Sequence, residues 1–145
     1  VGGELVKLQG TMFYVGKRGD VSTNPPALFR RRLSQTAGTG NAEELVEGIE
    51  NFQILYGINA DNDNKKTVDA YVAANQVGDW SRVISVRISV LVQSIEDGML
   101  PAAQAYTFNG VTYNGGGGNG ALPADRRLRR VFTSTVTLRN RAVGS

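Results

Sequence analysis

Asn59, Asp61 and Asp63 stand at alternate positions, and Asp69 follows a few residues later. Side-chain oxygens spaced in this way can converge on one hard cation, as a calcium loop requires. The same residue types also close tight turns by bonding to nearby backbone N–H groups. Counted as a calcium-type loop from Asn59, Asp61 and Asp63 fall at positions 3 and 5, and Asn64 falls where glycine is usual. Position 7 is Lys65, which has only a backbone carbonyl to offer; Thr67 and Asp69 take 9 and 11, and position 12, usually glutamate, is Ala70. Lys65 and Lys66 also offset the negative charge that would hold the ion. Calcium is thus the only cofactor the chain suggests, and these departures favour the turn held by Asx hydrogen bonds.

Other chemistries drop out by composition. The sequence contains no cysteine and no histidine. Disulfides, thiol nucleophiles and Ser-His-Asp triads are excluded, and the common zinc ligand sets lose most of their members. Glu44, Glu47 and Glu50 do not form an acid and base around any recognisable pocket, so no enzyme is expected. The run Gly115 to Gly120 lacks the Lys-Ser/Thr of a phosphate loop.

Charge is segregated along the chain. The total is +3, yet residues 43–79 hold eight acids and two lysines. Arginines cluster at Arg30 to Arg32 and at Arg126, Arg127, Arg129, Arg130, Arg139 and Arg141. Two functional readings follow. Glu44 and Glu47 on the acidic side, with Arg127, Arg129 and Arg130 on the basic side, can orient a protein partner. Alternatively the arginines bind a phosphate backbone, although no recognition helix or RNA-binding aromatic motif accompanies them. The plain alternative to both is a solvated surface of paired charges.

The elements that must position these residues are mostly strands. The 145 residues suffice for one domain, 1–145, with its own core. Met12 to Val15 and Ala27 to Leu33 read as strands, separated by turn residues and Pro25-Pro26. Ala42 to Gly48 reads as a helical turn, with Asn41 as N-cap and Glu44 three residues on. Ile49 to Ile58 reads as a strand. Ile84 to Ser94 alternates aliphatic even positions from 84 to 92 with mostly polar odd ones, which predicts a strand with one face buried. Arg130 to Asn140 is a second clear strand. Asn109-Gly110 between them signals a two-residue hairpin turn. Trp80 reads as a core or sheet-edge anchor. The class expected is α+β, mostly β, built on antiparallel sheet. No apolar run approaches the length of a membrane span, and the Val-Gly-Gly start suggests a fragment or a processed form.

In order along the chain, several segments resemble the PilW family of type IV pilus minor pilins. They are Gln9-Gly10-Thr11, Pro26 to Arg30, Glu44 to Phe52, Leu55-Tyr56-Gly57, Asp61-x-Asp63, Asp69-x-Tyr71, Asp79 to Val83 and Arg127 to Arg141. The resemblance implies the β-rich globular part of a pilin-like protein, lacking the N-terminal pilin helix. It implies a structural subunit of a priming complex or pilus tip, supporting motility, adhesion or DNA uptake. The partners it implies are other minor pilins, a PilY1-like tip adhesin and the major pilin filament, with DNA as a lesser possibility. The precursor is expected at the inner membrane and periplasm, held by that N-terminal helix, and later in the surface pilus. Asn59 and Asn64 replace an acid and a glycine that the family often has in its loop.

Overall fold

A computed structural model describes residues 3, 10–33, 41–61, 67–115 and 120–139. Among them the regular elements are nine strands and three short 3-10 turns. The strands are β1 (Gly10–Lys17), β2 (Pro26–Leu33), β3 (Ala42–Glu47), β4 (Ile49–Ile58), β5 (Ala70–Val72), β6 (Val83–Gln93), β7 (Tyr106–Phe108), β8 (Val111–Tyr113) and β9 (Arg129–Thr137). The fold is mostly β, in antiparallel sheets. No helix among the described residues is long and apolar enough to cross a membrane. The chain divides into two compact units, Val1–Glu50 and Asn51–Ser145.

The first unit carries the sheet β1-β2-β3. Alternation along β2 buries Ala27 and Phe29, and Tyr14 stacks on its cross-strand neighbour Phe29 with ring centroids 5.5 Å apart. The helical turn expected over Ala42 to Gly48 is instead strand β3. A local capping signal stabilises one turn weakly, whereas β2 offers a full ladder of partners. Glu43 lies opposite Arg30 and Glu44 opposite Phe29, and Arg30 Nη2 meets Glu43 Oε2 at 2.6 Å. A bulge displaces the register between Leu28 and Phe29. The Gly48 N–H then closes onto the Pro26 carbonyl at 2.7 Å.

The second unit carries the sheet β5-β4-β6-β9 and the hairpin β7-β8. The hairpin forms as its turn residues require. Asn109 and Gly110 both have positive φ, 47° and 80°, which only such residues adopt cheaply. Tyr106 and Tyr113 pair across it and stack at 4.6 Å. β6 and β9 align over nine residue pairs, from Ser85 opposite Thr137 to Gln93 opposite Arg129.

The more buried face of β6 is the one that carries its serines. Its odd positions Val83, Ser85, Ser89, Leu91 and Gln93 are buried; of the even positions Ile84 is buried, while Val86, Ile88, Val90 and Val92 are only half-buried. The polar face is covered because its hydroxyls have partners: Ser85 donates to the Tyr71 phenol oxygen at 3.2 Å, and Ser89 bonds Thr133 at 3.2 Å. Arg87 lies 3.5 Å over the Tyr71 ring. A buried hydroxyl that is hydrogen-bonded loses little on burial. The aliphatic face continues onto β9, where Phe132 is 61% and Val136 52% exposed.

Candidate functional site

Three features carry the residues of interest: the 59–69 loop, the arginine strand β9, and the groove at the end of that strand. Asp63, with Asn62, Asn64, Lys65 and Lys66, lies outside the described residues. The remaining loop residues are tied to the main chain. Asp69 Oδ2 accepts the Ala60 N–H at 2.6 Å and the Asp61 N–H at 3.3 Å. Asn59 Nδ2 donates to the Thr67 carbonyl at 3.3 Å, and Arg82 Nη1 to the Ala60 carbonyl at 2.8 Å. Asp69 N–H returns to the Ile58 carbonyl at 2.9 Å. These bonds use Asp69 as a turn acceptor and support the Asx reading of the loop. Calorimetric titration with calcium is expected to give equal heats for the unaltered chain and for an Asp61→Ala, Asp63→Ala variant. A binding heat present only in the unaltered chain would restore the cation reading.

The charged candidates are placed very differently from one another. On β3, Glu44 receives a two-point contact from Arg18, with Nε and Nη2 each 2.9 Å from a carboxylate oxygen. That hydrogen bond holds the Glu44 carboxyl below its ordinary range. Glu47 lies exposed at the end of the same strand. Arg127 turns back to donate to the Ser94 carbonyl at 2.8 Å and to the Ile95 carbonyl. Arg130 is exposed at the start of β9. Glu44 and Glu47 thus belong to the first unit, and Arg127, Arg129 and Arg130 to the second.

Arg129 is internal to the fold. Its side chain is 1% exposed. Nη1 and Nη2 reach the two oxygens of Asp125 at 2.6 and 2.9 Å, and Nη2 also reaches Gln93 Oε1 at 3.3 Å. The guanidinium carbon lies 5.8 Å from the Tyr106 ring centroid. Asp125 is held below the usual carboxylate range, chiefly by the Arg129 hydrogen bond. Sequence reading grouped Arg129 with its neighbours because they form one basic run. Asp125 four residues upstream was the available signal for a structural role, but that spacing usually speaks for pairing only within a helix.

A groove of about 570 Å³ opens at the far end of β9. Tyr56, Trp80, Val83 and Val86 line it, with Thr137 to Arg139. Trp80 meets Tyr56 edge-on at 4.8 Å and stays 49% exposed. It occupies the 3-10 turn Trp80–Arg82 that leads into β6, with Asp79 Oδ1 accepting the Ser81 N–H at 2.9 Å as the cap. The groove therefore joins an aromatic corner, aliphatic walls and one guanidinium. Such a lining suits an apolar side chain of a protein partner.

No curated protein and no solved structure gives a significant match to the chain. The model of the family described as type IV pilus-assembly protein W matches residues 12–140. That span takes in most of β1 and all of β2 through β9, together with the 59–69 loop, the arginine strand and the groove. The chain belongs to the PilW family, a structural family of type IV pilus assembly.

Proposed function

We propose that this chain is the β-rich globular part of a minor pilin, a structural subunit of the priming complex or tip of a type IV pilus. Its neighbours in that reading are other minor pilins, a PilY1-like adhesin and the major pilin filament. The precursor would reside at the inner membrane, its globular part in the periplasm, and residues 1–145 would act as one domain. The observation that carries the reading is the open aliphatic face of β6 and β9. Val86, Ile88, Val90 and Val92 are half-buried beside exposed Phe132 and Val136. An apolar face left open in a free chain is what a subunit buries against neighbours. The exposed charges of Arg130 on that unit and of Glu47 on the first unit supply orientation, while Arg129 acts indirectly by fixing the strand.

Nucleic-acid binding through the arginines draws less support. Arg18, Arg30, Arg82 and Arg129 each face a carboxylate within 4 Å, and Arg127 is turned onto main-chain carbonyls.

The test is a pulldown with co-expressed minor pilins. A Phe132→Glu variant is expected to lose at least about tenfold in partner capture, the scale of an interfacial hot spot. Adding charge reversal at Arg127 and Arg130 is expected to deepen the loss. Undiminished capture by a folded Phe132→Glu variant would sink the reading.

A further inference from the structure

We infer that the outer edge of β9 is an acceptor for one added strand: an extended, uncharged segment of a partner protein with acidic residues at both ends. This deepens the assembly reading and rests on it for the partner's biological setting.

β9 is the last strand of its sheet, and among the described residues no strand is hydrogen-bonded to its outer side. Which residues face that open side follows from the bonds already made. Leu138 N–H donates to the Ile84 carbonyl at 2.8 Å, and Leu128 carbonyl accepts from Ser94 N–H at 2.9 Å. Even-numbered residues therefore turn their peptide groups toward β6. Arg129 turns outward, and the Gln104 side chain meets it there. Gln104 Oε1 accepts the Arg129 N–H at 2.7 Å and its Nε2 donates to the Arg129 carbonyl at 3.2 Å. One side-chain amide thus occupies the first outward slot as a neighbouring strand would. Alternation in an antiparallel pair then sends the N–H and C=O of Val131, Thr133, Thr135 and Thr137 outward. Every residue from Arg130 to Thr137 is exposed.

The composition of this edge invites pairing. Residues 131–138, Val-Phe-Thr-Ser-Thr-Val-Thr-Leu, contain no charge, no proline and no glycine. Long exposed edges are normally defended by charges, bulges or short length. β3 shows those defences, with Glu43, Glu44 and Glu47 and a register bulge in its pairing with β2. β5 is only three residues long. β9 has none of them from Val131 to Thr137. Main-chain bonds along such an edge give affinity, and pockets for alternate side chains give selectivity. The groove beside Thr137 supplies a pocket, walled by Trp80 and Tyr56.

Charge selects the occupant. Arg126 and Arg130 stand at one end of the edge and Arg139 at the other, all exposed. Antiparallel self-pairing of two β9 edges would bring the arginine-bearing start of one strand to the arginine-bearing end of the other, which like charge opposes. A strand with acidic ends meets complementary charge at both.

The probe is a synthetic peptide, Glu-Glu-Val-Thr-Val-Thr-Val-Thr-Val-Glu-Glu, with amide exchange and fluorescence anisotropy as readouts. Saturable binding is expected, with exchange at Val131, Thr133, Thr135 and Thr137 slowed by about tenfold or more and the even-numbered amides little changed. A lysine-ended peptide should bind at least about tenfold more weakly. Thr133→Pro removes one outward N–H and, toward β6, the hydroxyl bond to Ser89 but no main-chain bond, so the sheet survives, and peptide affinity is expected to fall about tenfold. Thr133→Ala, which removes the hydroxyl and γ-methyl but keeps the N–H, should keep it. Equal binding by a folded Thr133→Pro variant, or binding without protection of the four odd amides, overturns the proposal. Should Thr133→Pro not fold, the exchange pattern of the unaltered chain decides. Protection of these amides without peptide, in a dimer seen by sedimentation, also overturns the acidic partner. Loss of minor-pilin capture in Phe132→Glu concerns the open face alone. A pulldown that fails beside a peptide that binds removes the pilus reading and keeps the edge; the reverse removes the edge and keeps the pilus reading.

Discussion

Arg129→Ala is expected to destabilise the protein by about 3 kcal/mol, read as a fall in the urea midpoint with an unchanged slope. The substitution strands Asp125, which loses both hydrogen bonds from the guanidinium, and leaves Gln93 Oε1 without its Nη2 donor. Breaking a buried pair by removing one partner usually costs roughly 3–5 kcal/mol. The lower end applies because the Asp125 side chain keeps 28% exposure and can be partly rehydrated. Against a typical stability of about 5–15 kcal/mol, the loss is large. Arg129→Lys should recover little, since a point charge cannot meet both carboxylate oxygens. Replacing both partners, Arg129→Leu with Asp125→Leu, should recover most of the loss because no orphan charge remains.

The same pair sets an acid limit. The Asp125 carboxyl titrates below its ordinary value in the folded chain, first because of Arg129, and Asp97 does so because the Arg126 and Gly98 N–H groups bond it. A depressed carboxyl stabilises the fold above its unfolded pKa of about 3.9 and gives up that stabilisation as pH falls through the folded value. Stability should therefore be flat near neutrality and decline below about pH 4. Asp125→Asn should lower the plateau and shallow the decline, measured by denaturant unfolding at a series of pH values. An equally steep decline in the variant would remove Asp125 from the acid response.

The second large effect is Gly57→Ala. A Cβ at this position would lie 2.2 Å from Ser85 Oγ, 3.0 Å from Tyr71 Cε1 and 3.1 Å from Val68 Cγ1. Ser85 is 3% exposed and in the middle of its sheet, so it has nowhere to retreat. The displaced groups are those that hold the polar face together: the Ser85–Tyr71 hydrogen bond and the Arg87 guanidinium over the Tyr71 ring. Overpacking of this kind costs about 1–3 kcal/mol, and the lost hydrogen bond adds about 1 kcal/mol. Thermal unfolding should reveal the loss, and Ser85→Gly in the same chain should return part of it. An unshifted melting temperature in Gly57→Ala would mean that β4 and β6 are further apart than described.

What was legible in the sequence was local. The Asn109-Gly110 turn announces itself because few other residues accept two positive φ angles in succession. The strand of Ile84 to Gln93 follows from period two, as does most of β9. What was illegible depended on residues far away in the chain. β3 looked like a helix start because Asn41 and Glu44 satisfy a local capping pattern; its true partners, Arg18 and Arg30, lie 26 and 13 residues from the glutamates they bind. Which face of β6 is covered could not be read locally, because period two says that one face is buried and not which. The choice fell to Tyr71, Thr133 and the satisfied serines. Arg129 hid within a basic run because only its burial distinguishes it from Arg130. The open edge of β9 is invisible to any local pattern, since it depends on strand order.

The hairpin of β7 and β8 bears on time as well as shape. β6 ends at Gln93 and β9 begins at Arg129, so β6 and its earlier neighbour β4 are made long before the strand that completes the pairing. Closing so long a connection is slow compared with forming a hairpin, which takes about 1–10 μs. The Asn109-Gly110 turn and the stacked tyrosines let the hairpin form early, within the connection itself. It shortens the search left to β9 and holds Tyr106 ready beside the arriving Arg129. The chain gains from this order of events, because the aliphatic face of β6 spends less time waiting for β9.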